Sequence, residues 1–372
     1  MFATLRGDQR PCFYTGNAGI WCPVYGGSVV GSESRAPRDV GAARRAGELV
    51  VDREWLGRLH ENAIVQEQPI IDPHIHLWLA DPLRYTVEDY LADAGGHTVE
   101  ATVYAQCYSE YLSSGPAHLR PVGEVRFALE QSARARSVDA SVDFCAAIIG
   151  FVDLGPPEQV REAIEAQVEA GAGRLRALRP EVYSSDDAAT ALLRDERWDE
   201  WAGALQRNDV LLEAWVSYRQ LAELTQLATR YPDLGIVVNH LGGPVGAGLH
   251  DVESSDMRTA WLEGMRMLSS CPNVVVKLGG LGTSVFAFRL WSQPEPPTSS
   301  ALAVMWRPWI EPVIDLFGPA RCMFESNYPV DARVGGLDVL WNCFKRLCEP
   351  YSNEDRDWLC RKTASRTYRL GV

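Results

Sequence analysis

From about residue 65 onward the chain alternates short apolar runs with amphipathic stretches, and that rhythm leaves few folds open to it. Eight runs read as strands: residues 69–76, 98–107, 144–153, 174–179, 210–216, 235–241, 273–278 and 321–326. Between them lie helical patterns. Pro157–Ala170 opens on prolines and carries Val160, Ile164 and Val168 at helical spacing, and residues 188–207, 218–230, 257–270 and 301–317 behave alike. Repeated βα units build a parallel sheet. Eight of them fit a closed α/β cylinder, the (β/α)8 TIM barrel, which needs about 250 residues. A doubly wound sheet would want a glycine fingerprint after its first strand, and that turn reads His74-Ile75-His76 instead. The barrel is the expectation, and its chemistry should then sit at the C-terminal ends of the strands.

Residues 1–50 differ from the rest. They hold aromatic and glycine-rich text (Phe13, Tyr14, Trp21, Tyr25) and then a polar, arginine-rich connector over residues 32–45. This reads as an N-terminal arm packed on the barrel or on a partner subunit, with residues 51–372 forming the barrel domain. A net charge of −13 argues against nucleic acid or an anionic membrane as partner. No apolar run is long enough for a signal peptide or a membrane span. Nine cysteines occur without a CxxC motif, which suggests free thiols in a reducing cytoplasm; Cys343 and Cys348 read as core thiols.

The strongest local signal is PIIDPHIHLW, residues 69–78. Strict alternation puts Asp72, His74 and His76 on one strand face. Two imidazoles two residues apart at a strand end can both reach one cation, and neutral imidazole suits zinc, iron or manganese. Alone, such a pair reads better as core histidines with satisfied hydrogen bonds, because two-residue motifs occur by chance. However, a third histidine, His240, ends the sixth strand in GIVVNHLGGP, and the chain holds only seven. Three of seven at one end of the inferred barrel favours a metal site.

These residues resemble the amidohydrolase superfamily, in the amidohydrolase-related branch of sugar lactonases, 2-pyrone-4,6-dicarboxylate lactonase and zinc-dependent decarboxylases. The matching text is DPHIHLW at 72–78, RLRALR at 174–179, WVSYRQL at 215–221, VVNHLGGP at 237–244, VVVKLGG at 274–280 and CMFESNYPVD at 322–331. It runs in family order from about residue 65 to the end. The resemblance implies a barrel with a divalent metal at the strand ends, His74, His76 and His240 being its ligands. It also implies hydrolysis by metal-activated water, with a carboxylate moving the proton.

Two departures stand out. The family's eighth-strand motif usually has an aspartate where this chain has Asn327, and an amide cannot act as a general base. The fourth strand has arginines (Arg174, Arg176, Arg179) and no lysine that a carbamate would bridge to two metals. The fifth strand offers Glu213. Glu325 shares a face with Asn327 and Asp331 follows in the loop, so Glu325, Asp331 and Asn327 are the candidate catalytic residues. Each carboxylate also has a structural reading, as an arginine partner or a turn cap. Arg176, Tyr218 and Trp78 are candidates for substrate binding. Arg176 would clamp a carboxylate, although an ion pair explains it equally. Trp215 is a pocket or core residue, Lys277 reads as structural, and residues 282–300 are long enough for a lid.

Two classes of function follow. One is a metal-dependent hydrolase, zinc being the leading cofactor, acting on a small lactone or related carbonyl compound. The other keeps the barrel but uses iron or manganese as one subunit of a non-haem oxygenase of the amino-acid hydroxylase type. There the chain is a component, or a zinc-bound structural partner, of a homologous catalytic subunit. A small-molecule substrate and a homo- or hetero-oligomer with a homologous barrel subunit are the expected partners.

Overall fold

The structure is a computed structural model describing residues 51–183, 190–248, 252–286 and 288–371. The expected N-terminal arm lies outside the described residues. Eight parallel strands run in chain order around one sheet: β1 (Ile70–Ile75), β2 (Val99–Ala105), β3 (Asp143–Gly150), β4 (Leu175–Leu178), β5 (Leu211–Ala214), β6 (Ile236–Val238), β7 (Val274–Leu278) and β8 (Cys322–Phe324). The last strand returns to the first through a parallel bridge between Ile75 and Tyr328, where His76 N donates to Tyr328 O at 2.8 Å. All eight expected strands are present, each slightly shorter than its apolar run.

One principal helix follows each strand: α1 (Val87–Asp93), α2 (Val122–Val138), α3 (Pro157–Ala170), α4 (Trp198–Arg207), α5 (Leu221–Arg230), α6 (Val252–Ser269), α7 (Ser299–Phe317) and α8 (Leu337–Leu347). None of the described helices is long and apolar enough to cross a membrane. Prolines inside α7, Pro308 and Pro312, remove backbone donors from a helix that is otherwise apolar along its inner face.

Burial divides the apolar residues into two bodies. The larger lies between sheet and helices and includes Ile70, Tyr104, Ile148, Leu178, Leu212, Val238, Val276 and Phe324. The smaller fills the barrel interior: Ile71, Ala101, Val103, Ala105, Ala147, Ile149, Ala177, Val237 and Met323, closed by Ala364 and Tyr368 from the C-terminal segment. Strand alternation sends one set each way. Four of the inner residues are alanine, and that small lining leaves space for the Tyr368 ring to enter from below. The expected core thiols, Cys343 and Cys348, are both buried.

Residues 282–300, expected as a lid, are tied down along their length. Gly246 N donates to Val285 O at 2.9 Å, Trp55 Nε1 to Gln293 O at 2.8 Å, and Glu61 caps the start of α7 through Ser299 N at 2.8 Å.

Because the inner layer is filled by small side chains around a tyrosine, Ala147→Leu should destabilise the fold by about 1–3 kcal/mol through overpacking. Urea unfolding monitored by tryptophan fluorescence measures this, and an unchanged midpoint would show that the interior has spare volume.

Candidate active site

The β1 strand carries the first two histidines. Its register on β2 shifts between Asp72 and Ile75, and this break changes which way the side chains face. Asp72, expected on the same face as the histidines, instead accepts from Tyr90 Oη of α1 at 2.8 Å and from Ser326 N at 3.0 Å. It therefore ties the outer side of β1 to α1 and to the end of β8. Burial pushes its carboxyl up to about 6 against these hydrogen bonds.

His74, His76 and His240 do meet. The His74 ring centroid lies 4.9 Å from that of His76 and 4.9 Å from that of His240. Glu325, on the residue after β8, joins two of them. Its Oε1 is 2.7 Å from His240 Nδ1, and its Oε2 is 2.8 Å from His74 Nδ1. Burial alone would raise the Glu325 carboxyl, but the two imidazoles drive it well below the ordinary value. The Oε2 contact lies off the line a hydrogen bond needs, so this oxygen is a buried carboxylate oxygen without an aligned donor. Ligand atoms of His74, His240 and Glu325 all lie within 4.8 Å of one another, close enough to share a cation.

His76 sits slightly apart. Its Nδ1 is 2.8 Å from Ala105 O, and a carbonyl only accepts, so Nδ1 carries the proton and Nε2 a lone pair. Burial and the nearby Arg179 charge lower its value to about 3, which keeps the ring neutral. Nε2 faces Asn327 Oδ1 at 3.2 Å, while Asn327 Nδ2 donates to Asp331 Oδ1 at 2.8 Å. Two acceptors in opposition need something positive between them. A cation supplies it; so does a proton on Asp331 with the amide turned round. Burial pushes Asp331 up to about 8 although Gly282 N donates to its Oδ2 at 3.0 Å.

Backbone strain marks the same places. His240, Leu241, Gly242 and Gly243 form an unbroken left-handed run, with φ of 51°, 57°, 66° and 67°. The non-glycine residues in it cost about 1–2 kcal/mol each. Asn327 is also left-handed, at φ 51°. Of these, His240 and Asn327 direct a side chain into the cluster, as expected where function over-determines geometry. Gly280, at the end of β7, makes room: a Cβ there would stand 2.0 Å from His240 Nδ1.

Beneath the histidines lies a charged layer. Lys277 Nζ donates to Pro73 O at 2.9 Å and lies 3.2 Å from Glu213 Oε2 and 3.3 Å from His74 Nδ1. Burial lowers the Lys277 value, and Glu213 and Glu325 oppose that. Asn239 Nδ2 donates to Glu213, and Asn239 Oδ1 accepts from Arg179 Nη1 at 3.3 Å. Arg179 also donates to Gln106 O at 2.5 Å and to His74 Nε2 at 3.1 Å. Lys277 and Arg179 thus offset Glu213 and Glu325, so the buried charges balance.

The fourth-strand arginine in this layer is Arg179, whereas Arg176 lies away from it. Arg176 Nε donates to Tyr368 O at 3.1 Å, at the N-terminal side of the sheet, far from where a substrate clamp belongs. Position alone separates them, since Arg179 follows the C-terminal end of β4 and Arg176 is near its start. Lys277 was the second signal, a charge inside the apolar run VVVKL. Glu124 gave none. At the start of α2 it accepts from Cys107 N at 2.7 Å, Ser109 N at 3.0 Å and Tyr104 Oη at 2.9 Å, pinning the loop after β2. Trp78 is half-buried with its ring 5.6 Å from that of His76. Trp215 packs edge-on against His240 at 4.7 Å and stacks on Tyr183. Tyr218 is half-buried; its N donates to Gly243 O at 2.9 Å, beside the left-handed turn, and Arg219 covers its ring.

Comparison with known proteins places this arrangement. The family model described as amidohydrolase matches residues 71–370. The chain belongs to the amidohydrolase family. Among curated relatives, this amidohydrolase is 27% identical over 329 residues to the uncharacterized protein y4mH of Sinorhizobium fredii, covering 81% of this chain and 98% of that one. It is also 27% identical over 303 residues to an L-fucono-1,5-lactonase of Burkholderia multivorans, covering 81% and 96%. A zinc-bound amidohydrolase structure from Burkholderia multivorans superposes with a TM-score of 0.60 at 23% identity, over 81% of this chain and 99% of that one. Family membership and the lactonase relatives support a hydrolase. The oxygenase alternative is not favoured.

Gly280→Ala should push His240 off Glu325 while leaving the barrel folded, and weaken metal uptake by about 10–100-fold. Titration calorimetry with zinc would reveal it, and unaltered uptake would remove His240 from the ligand set. Glu124 gives a pH test. Burial pushes its carboxyl up to about 7 from an ordinary 4.5. A carboxyl raised in the folded state adds stability that is full below the unfolded value and fades as pH rises through the folded one. Melting of the wild type should therefore fall relative to Glu124→Gln between about pH 5 and pH 8. Parallel curves would mean that Glu124 stays ionised throughout.

Proposed function

We propose that this amidohydrolase opens a small lactone, or a closely related carbonyl substrate, at the C-terminal mouth of its barrel, with a divalent cation, zinc first, held by His74, His76 and His240. The observation that carries this reading is the convergence of three imidazoles, with the His74 ring against both His76 and His240 and Glu325 joining two of them. Their donor set suits the ion. The opposed lone pairs of His76 Nε2 and Asn327 Oδ1 are a buried deficit that a cation would relieve. Bound there, a divalent ion supplies a Lewis acid for the carbonyl and a water of lowered pKa.

The remaining roles fall to the chain. Glu325 holds the His74 and His240 rings in place, as carboxylates behind metal-bound histidines do. Arg179 presents a fixed guanidinium beside His74, suited to a carbonyl or carboxylate oxygen of the substrate. Asp331 is the carboxylate joined to the cluster through Asn327, and in its ionised form it would accept a proton from the attacking water and return it to the leaving alkoxide. Asn327 cannot take that proton; it links Asp331 to His76 and fixes both. Trp78 and Tyr218 flank the mouth as substrate-binding walls.

The experiment is a panel of aldonolactones, L-fucono-1,5-lactone among them, followed with a pH indicator, alongside elemental analysis of the purified chain. Wild type should hydrolyse at least one lactone, and His74→Ala and His240→Ala should lose both metal and turnover. Asp331→Asn should keep the metal and lose about 10²–10⁴ in kcat. Full metal content in both histidine variants would remove the proposed ligands, and lactone turnover indifferent to Asp331 would remove its role.

A further inference from the structure

The barrel interior is closed from below by a segment that follows all eight strands, and that closure reaches the histidines through an unbroken series of contacts. Tyr368 enters the alanine-lined inner layer and is fully buried. Its hydroxyl donates to Glu213 Oε1, and Glu213 Oε2 is the partner of Lys277 Nζ at 3.2 Å. The Lys277 ammonium also lies 5.3 Å over the Tyr368 ring, so the tyrosine meets it directly through its π face and, through its hydroxyl, by way of Glu213. Lys277 in turn stands 3.3 Å from His74 Nδ1. The segment is itself anchored: Arg176 donates to Tyr368 O at 3.1 Å, and Arg369 Nη2 to Asp209 O at 2.6 Å.

We infer that Tyr368 is a positioning residue of the hydrolytic site, setting Lys277 and so His74 through Glu213, and that Arg176 acts from the far end of the barrel by holding Tyr368. Simple plugging of the barrel would need only the ring. The phenol hydroxyl is placed on the one carboxylate that binds Lys277, and a buried carboxylate with three donors, Tyr368, Asn239 and Lys277, has little freedom to move. Removing one donor lets Glu213 turn toward Lys277, drawing the ammonium away from His74. The inference rests on the lactone-hydrolase reading for its kinetic arm only.

The test compares Tyr368→Phe, which keeps the ring, with Arg176→Gln, Glu213→Gln and the Tyr368→Phe/Glu213→Gln pair, all as full chains. Two readouts are used: steady-state lactone hydrolysis and the imidazole ¹⁵N resonances of histidine-labelled protein, with His74 assigned by its loss in His74→Gln. Tyr368→Phe should lower kcat about 10-fold at little-changed KM and shift the His74 resonance, with the melting curve kept. Arg176→Gln should do the same in smaller measure. The double variant should cost no more than Glu213→Gln alone, since both act through one group. A wild-type kcat and an unshifted His74 signal in Tyr368→Phe would overturn the inference, as would additive losses in the pair. If the wild type opens no lactone, the earlier reading fails, and the His74 resonance still decides this one.

Discussion

Everything at the mouth of this barrel depends on one buried carboxylate. Glu325 sits in a dry interior between two imidazoles, where an uncompensated charge would cost several kcal/mol. The protein meets that cost with the two rings themselves and with Lys277 and Arg179, whose charges are offset in turn by Glu213. Each member needs the others. Removing any one of them leaves a buried charge without a partner, which is why strand ends so distant in sequence are held to one arrangement.

The same logic explains where the backbone is strained. A helix or strand cannot deliver His240 to Glu325 while also turning at the rim, so the chain runs through four left-handed residues there and places glycine opposite, at Gly280. Asn327 is held in a similar way at the end of β8. The energy for this comes from the packing of the surrounding layers, whose inner and outer apolar bodies fix the strand ends rigidly.

The fold was largely legible because period-two and period-3.6 patterns are written in every unit; all eight strands and the helix Pro157–Ala170 lie where those patterns place them. The convergence of His74, His76 and His240 was legible because parallel strands put their C-terminal ends on one side. What alternation does not carry is a register break. The one in β1 sent Asp72 to Tyr90 instead of onto the face of the histidines. Nor does it rank Arg176 against Arg179, which requires knowing where β4 ends. Glu124 and Tyr368 lay beyond reach, since each acts across contacts between elements far apart in the chain.

The plug at the base has a consequence for how such a chain matures. As synthesis proceeds from the N-terminus, all eight staves of the cylinder exist before Tyr368 does, and until it arrives Glu213 and Lys277 face an open floor. A barrel whose walls formed before that segment docked would hold its central ammonium without the tyrosine ring. The helical turn that carries Tyr368 is what closes that floor.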